Sequence, residues 1–162
     1  MNAKKLMLSA VLIIIALASL AGTGSTRVGT ISFGETTDVS MGRAGVIFTG
    51  SQYDGTVKLT RVNRGNLPGL NAPKFTQHLL NTRLYNLDGE KITSVVGPVY
   101  VYFKVRGAET RLFNDGELTI YYYNGATNKW TVCPTTYIFK AGGESRVSCR
   151  IRSMGLFGVG ER

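Results

Sequence analysis

Apolar and polar residues alternate along much of this chain with the two-residue period of a half-buried strand. The pattern is cleanest from Gly55 to Val62, where Val57 and Leu59 point one way and Lys58 and Thr60 the other. Pro98 to Val105 repeats it over a longer run. There Val99, Val101, Phe103 and Val105 share one face, and Tyr100, Tyr102 and Lys104 share the other. Leu118 to Tyr123 is a further strand, with Leu118, Ile120 and Tyr122 in register. Thr82 to Leu87 reads as a strand closed by Asp88-Gly89-Glu90, although the stretch from Gln77 is ambiguous between types. Between these runs, Asn63 to Lys74 holds Gly65, Pro68, Gly69 and Pro73, which marks a loop. Asn114-Asp115-Gly116 makes a turn, and Asn124-Gly125 before Lys129 to Cys133 signals a hairpin. Leu156-Phe157-Gly158-Val159 is the last strand. No helical 3.6 period persists beyond the first twenty-odd residues. Many short strands divided by turn residues predict an all-β antiparallel β-sandwich with Greek-key-like connections.

The start of the chain breaks this pattern. Lys4 and Lys5 precede an apolar run from Leu6 to Leu20, and Ser19-Leu20-Ala21 sets small residues just before a cut at Gly22. These are the three parts of a secretory signal peptide, a helical leader over residues 1–21. Ala16-Leu17-Ala18 offers a second cut. The rival is an uncleaved anchor. An apolar run of about 15–17 residues is marginal against the roughly 20 that span a bilayer, and small residues at its end favour cleavage. Export then places the rest of the chain outside the cytoplasm, secreted or at the cell surface, with membrane contact only during export. About 140 residues remain, one domain's worth. Within them, residues 22–54 are rich in Gly, Ser and Thr, with short apolar pieces at Thr30 to Phe33 and Gly45 to Phe48. They read as a loosely ordered arm before a sandwich domain over 55–162.

An oxidising compartment changes the meaning of Cys133 and Cys149, the two cysteines of the chain. Lys140-Ala141-Gly142-Gly143 reads as a turn, and a hairpin centred on Ala141 sets position 133 opposite 149. Facing residues in an antiparallel pair lie within reach of a disulfide. A closed loop of about 15 residues is worth about 3 kcal/mol in the chain-entropy model. Two cysteines without a nearby histidine supply too few ligands for zinc.

Charge and chemistry add less. The formal charge falls from +9 to +7 once the leader takes Lys4 and Lys5 away. A basic surface favours anionic partners such as acidic glycans, but the charge is scattered, and the nearest approach to a patch is Arg146, Arg150 and Arg152. Export argues against nucleic acid. His78 is the single histidine, without a nucleophile or acid at a recognisable spacing. Asp54, Asp88, Glu90, Asp115 and Glu117 sit beside glycines, where carboxylates favour turn geometry. Neither acidic turn resembles a calcium loop, and the reading calls for no cofactor or metal. Tyr100, Tyr102 and Tyr121, if exposed, offer stacking faces for a sugar; alternatively, the tyrosines of 100–102 and 121–123 cover the edges or second face of the sandwich.

The order Leu84-Tyr85-Asn86-Leu87-Asp88-Gly89, Pro98 to Phe103, Leu118 to Asn124, Lys129-Trp130 and Leu156 to Val159 resembles bacterial surface modules related to the ZU-type domains of ankyrins and netrin receptors. The likeness covers about residues 82–160. It implies a β-sandwich module. Some relatives cleave themselves before a Ser or Thr near the last strand. Here the matching stretch is Ser153-Met154-Gly155, and Gly155 carries no side-chain nucleophile, so the resemblance implies no self-cleavage.

The expected function is therefore a non-catalytic structural, adhesion or assembly subunit, with self-association into an oligomer or polymer by strand addition of the N-terminal arm. The alternative is a carbohydrate-binding module for a cell-surface glycan, using the tyrosines. A small secreted hydrolase built on His78 ranks third.

Overall fold

The computed structural model describes residues 24–65, 67–69, 71–140 and 144–162. The leader, its expected cut between Ala21 and Gly22, and residues 141–143 of the last hairpin lie outside these. Among the described residues, twelve strands and one short helix build two antiparallel sheets packed face to face, the all-β sandwich that the alternation predicts. The first sheet runs β1 (Thr26–Ile31), β4 (Gly55–Val62), β5 (Leu79–Asn86), β12 (Leu156–Glu161), β8 (Leu118–Asn124) and β9 (Lys129–Cys133), with β6 (Lys91–Ile92) paired to β5. The second runs β10 (Thr135–Lys140), β11 (Glu144–Ser153), β7 (Ser94–Val105), β3 (Ala44–Phe48) and β2 (Thr37–Met41).

The two-residue period sets the core. Val57 and Leu59 of β4, Ile120 of β8 and Val159 of β12 meet Val46 and Phe48 of β3, Val101 and Phe103 of β7 and Val147 of β11, all fully enclosed in one cluster. Lys58 and Thr60, out of phase with Val57 and Leu59, remain half-buried. The helix α1 (Ala108–Asn114) joins β7 to β8 and is too short to write a 3.6 period into the sequence.

The stretch set apart as an arm is shared between both layers. β1 pairs with β4 along six residue pairs, from Thr26 opposite Thr60 to Ile31 opposite Gly55. β3 lies between β2 and β7, with Val46 and Phe48 in the core. The small residues that suggest looseness serve close packing instead. Gly45 lies under the ring of Tyr102, where an added Cβ would come within 2.5 Å of the ring.

A second, smaller cluster covers the outside of the first sheet. Phe75, Leu79 and Tyr121 pack with Leu67, Trp130 and Leu156, so the loop after β4 lies across that face. Trp130 Nε1 donates to the Pro68 carbonyl at 3.0 Å, and Arg64 donates to the Phe75 carbonyl at 2.7 Å. Phe75 bridges Gly160, and its ring lies on Gly158, where a Cβ would sit 2.6 Å from it.

Candidate functional site

Cys133 and Cys149 form a disulfide, with Cα atoms 5.9 Å apart. Its setting differs from the expected stapled hairpin. β9 ends at Cys133, which pairs with Ile120 in the first sheet. The chain crosses at Pro134, which has no N–H to continue the ladder. β10 then pairs with β11 in the second sheet, with Thr135, not Cys133, opposite Cys149. The bond thus ties one layer of the sandwich to the other. The turn at 140–143 does not reveal this, because the sheet switch happens earlier in the chain.

The three tyrosines weighed as stacking faces part company. Tyr102 is fully enclosed and Tyr121 is buried, so neither ring is open to a sugar. Tyr102 points to the outside of the second sheet, yet other groups seal it there. Its hydroxyl donates to Asp38 at 2.8 Å, and the Arg146 guanidinium lies 4.1 Å above its ring. Burial, with the Asp38 carboxylate, pushes its hydroxyl pKa well above the usual tyrosine range. Tyr121 donates to the Glu161 carbonyl at 3.0 Å and meets Phe75 edge-on; burial raises its pKa too. Tyr100 is half-buried beside Arg150. Tyr102 and Tyr121 instead cover the outer faces of their own sheets, Tyr102 on the second and Tyr121 on the first.

Nor do the arginines of β11 act as one patch. Arg146 is buried and joined to Asp38 at 3.1 Å and Glu144 at 2.8 Å, while Arg150 is exposed. Glu144 also meets Lys104 at 2.6 Å. The hydrogen bonds from Lys104 and Arg146 hold the Glu144 carboxyl at about 2.

A cleft of about 510 Å³ lies at one end of the sandwich. The turn between β2 and β3 brings Arg43 to it, the end of β4 and the loop beyond bring Arg61 and Arg64, and the approach to β5 brings Gln77 and His78. Ser25 closes it beside β1, and Leu79 and Leu80 supply apolar lining. Glu109 of α1 stands behind the rim. It is buried and accepts hydrogen bonds from Arg43, from Gln77 at 2.9 Å and from the Arg106 backbone at 3.2 Å. Arg43 and Gln77 both donate also to the Lys104 carbonyl, at 2.8 Å each. Arg43 and Gln77 are therefore fixed in place. Among the described residues, neither Arg61 nor Arg64 is paired with a carboxylate.

His78 lines this cleft, and its Nδ1 is enclosed without a hydrogen-bond partner. Burial, then the positive charges of Arg61 and Arg64, lower its pKa below the ordinary histidine value. Among the described residues no carboxylate is hydrogen-bonded to His78 Nδ1. Sequence reasoning singled out His78 but missed Arg43, Arg61, Arg64, Gln77 and Glu109. They are spread over the β2–β3 turn, the end of β4, the loop between β4 and β5 and the helix α1, and only the fold gathers them.

Comparison of the chain with protein-family models, with curated proteins and with solved structures finds no match.

Proposed function

We propose that the protein is an exported, non-catalytic β-sandwich that serves as a structural, adhesion or assembly subunit, and that it self-associates by exchanging β1. The leader and the disulfide between sheets support export, since such bonds persist in oxidising compartments. The likeness of residues 82–160 to surface modules points the same way. At the position where some of those modules cleave, Gly155 is packed against Tyr122, where a Cβ would lie 2.9 Å from the ring.

The observation that carries the assembly reading is β1 itself. It is the outermost strand of its sheet, hydrogen-bonded to β4 on one side and, among the described residues, to no strand on the other. Such an edge pairs readily with another chain. Of its six residues, Ile31 is the one that is buried, so β1 contributes little to the core it closes. Val28 on β1 and Phe33 just beyond it are apolar and exposed. Leaving its own β4 for that of a neighbour conserves all the ladder hydrogen bonds, which is why strand exchange is a low-cost route to oligomers. The hinge falls at Ser32, because the Phe33 N–H is tied to the Asp54 carboxylate and the Gly34 and Ser51 N–H groups to the Ser51 and Glu35 carbonyls, at 2.8 Å each.

The test is deletion of residues 22–30, with assembly read by sedimentation of the purified protein. Removing more, up to residue 50, would take Val46 and Phe48 out of the core and confuse unfolding with lost assembly. The expected result is an oligomer for the intact protein and a folded monomer for the deletion. An unchanged assembly state in the two proteins would end the exchange model.

A further inference from the structure

We propose that the cleft at the β2–β3 turn binds an oxyanion, a carboxylate or sulfate, carried on a neutral polar body of sugar size. Its arginines lie on β4 and the loop after it rather than on β1, and they are distinct from the arginines of β11.

Three of the cations near these sites are already spent. Arg146 and Lys104 are neutralised by Asp38 and Glu144, and Arg43 by Glu109. Arg64 gives one N–H to the Phe75 carbonyl, but neither it nor Arg61 is paired with a carboxylate among the described residues, and both line the same concave surface. Two guanidiniums brought together in a cleft raise the local potential and attract a negative group. Guanidinium is also the side chain best shaped to bind a planar carboxylate or a sulfate through paired hydrogen bonds. Their joint presence already acts on the protein, since both arginines disfavour the charged form of His78. An anion seated between them relieves that repulsion.

The rest of the cleft suits the body of such a ligand. Its volume, about 510 Å³, falls within the range of small-molecule sites. Gln77 is held rigidly by Glu109 and the Lys104 carbonyl. The Ser25 and Thr76 hydroxyls add donors and acceptors, and Leu79 and Leu80 offer apolar surface for C–H groups. A lone inorganic ion would leave most of that space to water. The titratable and charged groups around His78 are Arg61 on β4, Arg64 on the loop after it, and Arg43 on the β2–β3 turn with its partner Glu109 on α1.

His78 also makes the test direct. It is the one histidine in the chain, so its imidazole proton resonances report this cleft without assignment by comparison. The full protein is titrated with glucuronate, glucosamine 6-sulfate, glucose and inorganic sulfate, and the His78 pKa is measured by proton NMR at each saturation. Either sugar acid is expected to raise the His78 pKa and to bind at least tenfold tighter than glucose. Arg61→Ala/Arg64→Ala, both exposed positions, is expected to abolish the rise, while Arg150→Ala leaves it intact. No shift with either sugar acid overturns the proposal. So does a shift that survives in the double variant. Inorganic sulfate binding as tightly as the sugar acids means an adventitious ion only, which overturns it as well. Should the double variant fail to fold, the titrations of the wild-type protein decide by themselves.

Discussion

The two outer faces of the sandwich are sealed by opposite means. Over the first sheet, a loop lays Phe75 on Gly158 and packs it against Tyr121 and Trp130, an apolar cover. Over the second, Tyr102 of β7 lies on Gly45 of β3, and the cover is ionic: Arg146 above the ring, Asp38 on its hydroxyl, Glu144 and Lys104 beyond. In each case a strand glycine makes room for an aromatic ring from a neighbouring segment. What differs is the source of the lid. The first sheet borrows a loop, so burial alone secures it. The second draws on charges of its own strands, Asp38 of β2 and Arg146 of β11. The lesson is that a tyrosine on the polar phase of a strand need not face solvent when its neighbours bring a glycine beneath it and a guanidinium above.

The comparison breaks most visibly on deleting the two rings. Tyr102→Ala and Phe75→Ala are each expected to cost about 3–5 kcal/mol in urea unfolding, the usual range for truncating an enclosed aromatic ring. A cost below 1 kcal/mol at either site would mean that its face is not sealed as described. Removing the hydroxyls alone separates the two covers. Tyr102→Phe loses a hydrogen bond to a carboxylate and is expected to cost about 1.5–3 kcal/mol, whereas Tyr121→Phe loses one to a carbonyl and about 1 kcal/mol. Equal costs would contradict the ionic character of the second cover.

The smallest effect is on pH. Glu144 is held at about 2, below its ordinary 4.5, by hydrogen bonds from Lys104 and Arg146. A depressed carboxyl stabilises the fold above the unfolded pKa, and that stabilisation fades as pH falls from about 4.5 through about 2. Glu144→Gln is therefore expected to flatten the acid limb of the stability curve, read by thermal melts across that window. A limb as steep as in the wild type would remove Glu144 from the account.

Much of the fold was legible because inward residues recur every second position. Val57 and Leu59, or Val99 through Val105, declare their strands whatever surrounds them. Local pattern fails where a residue's setting is supplied from far away. Gly45 looks like slack until Tyr102 lies on it, and the arm at 22–54 looks loose because its strands are short and small-residued. The disulfide was legible as a bond but not as a link between layers, since Pro134 moves the chain to the other sheet without altering the cysteine spacing. The cleft was the least legible. His78 stood out by being alone, but Arg43, Arg61 and Arg64 belong to a turn, a strand end and a loop, and Glu109 sits on a helix too short to show a period.

The protein proposed above is an exported, layer-tied sandwich that assembles through β1. Native mass spectrometry of the protein from its own source tests it in one spectrum. The predicted result is an oligomer whose subunits begin at Gly22 and lack the two thiol hydrogens of Cys133 and Cys149. A monomer, or a subunit retaining residues 1–21 with both thiols free, would contradict it.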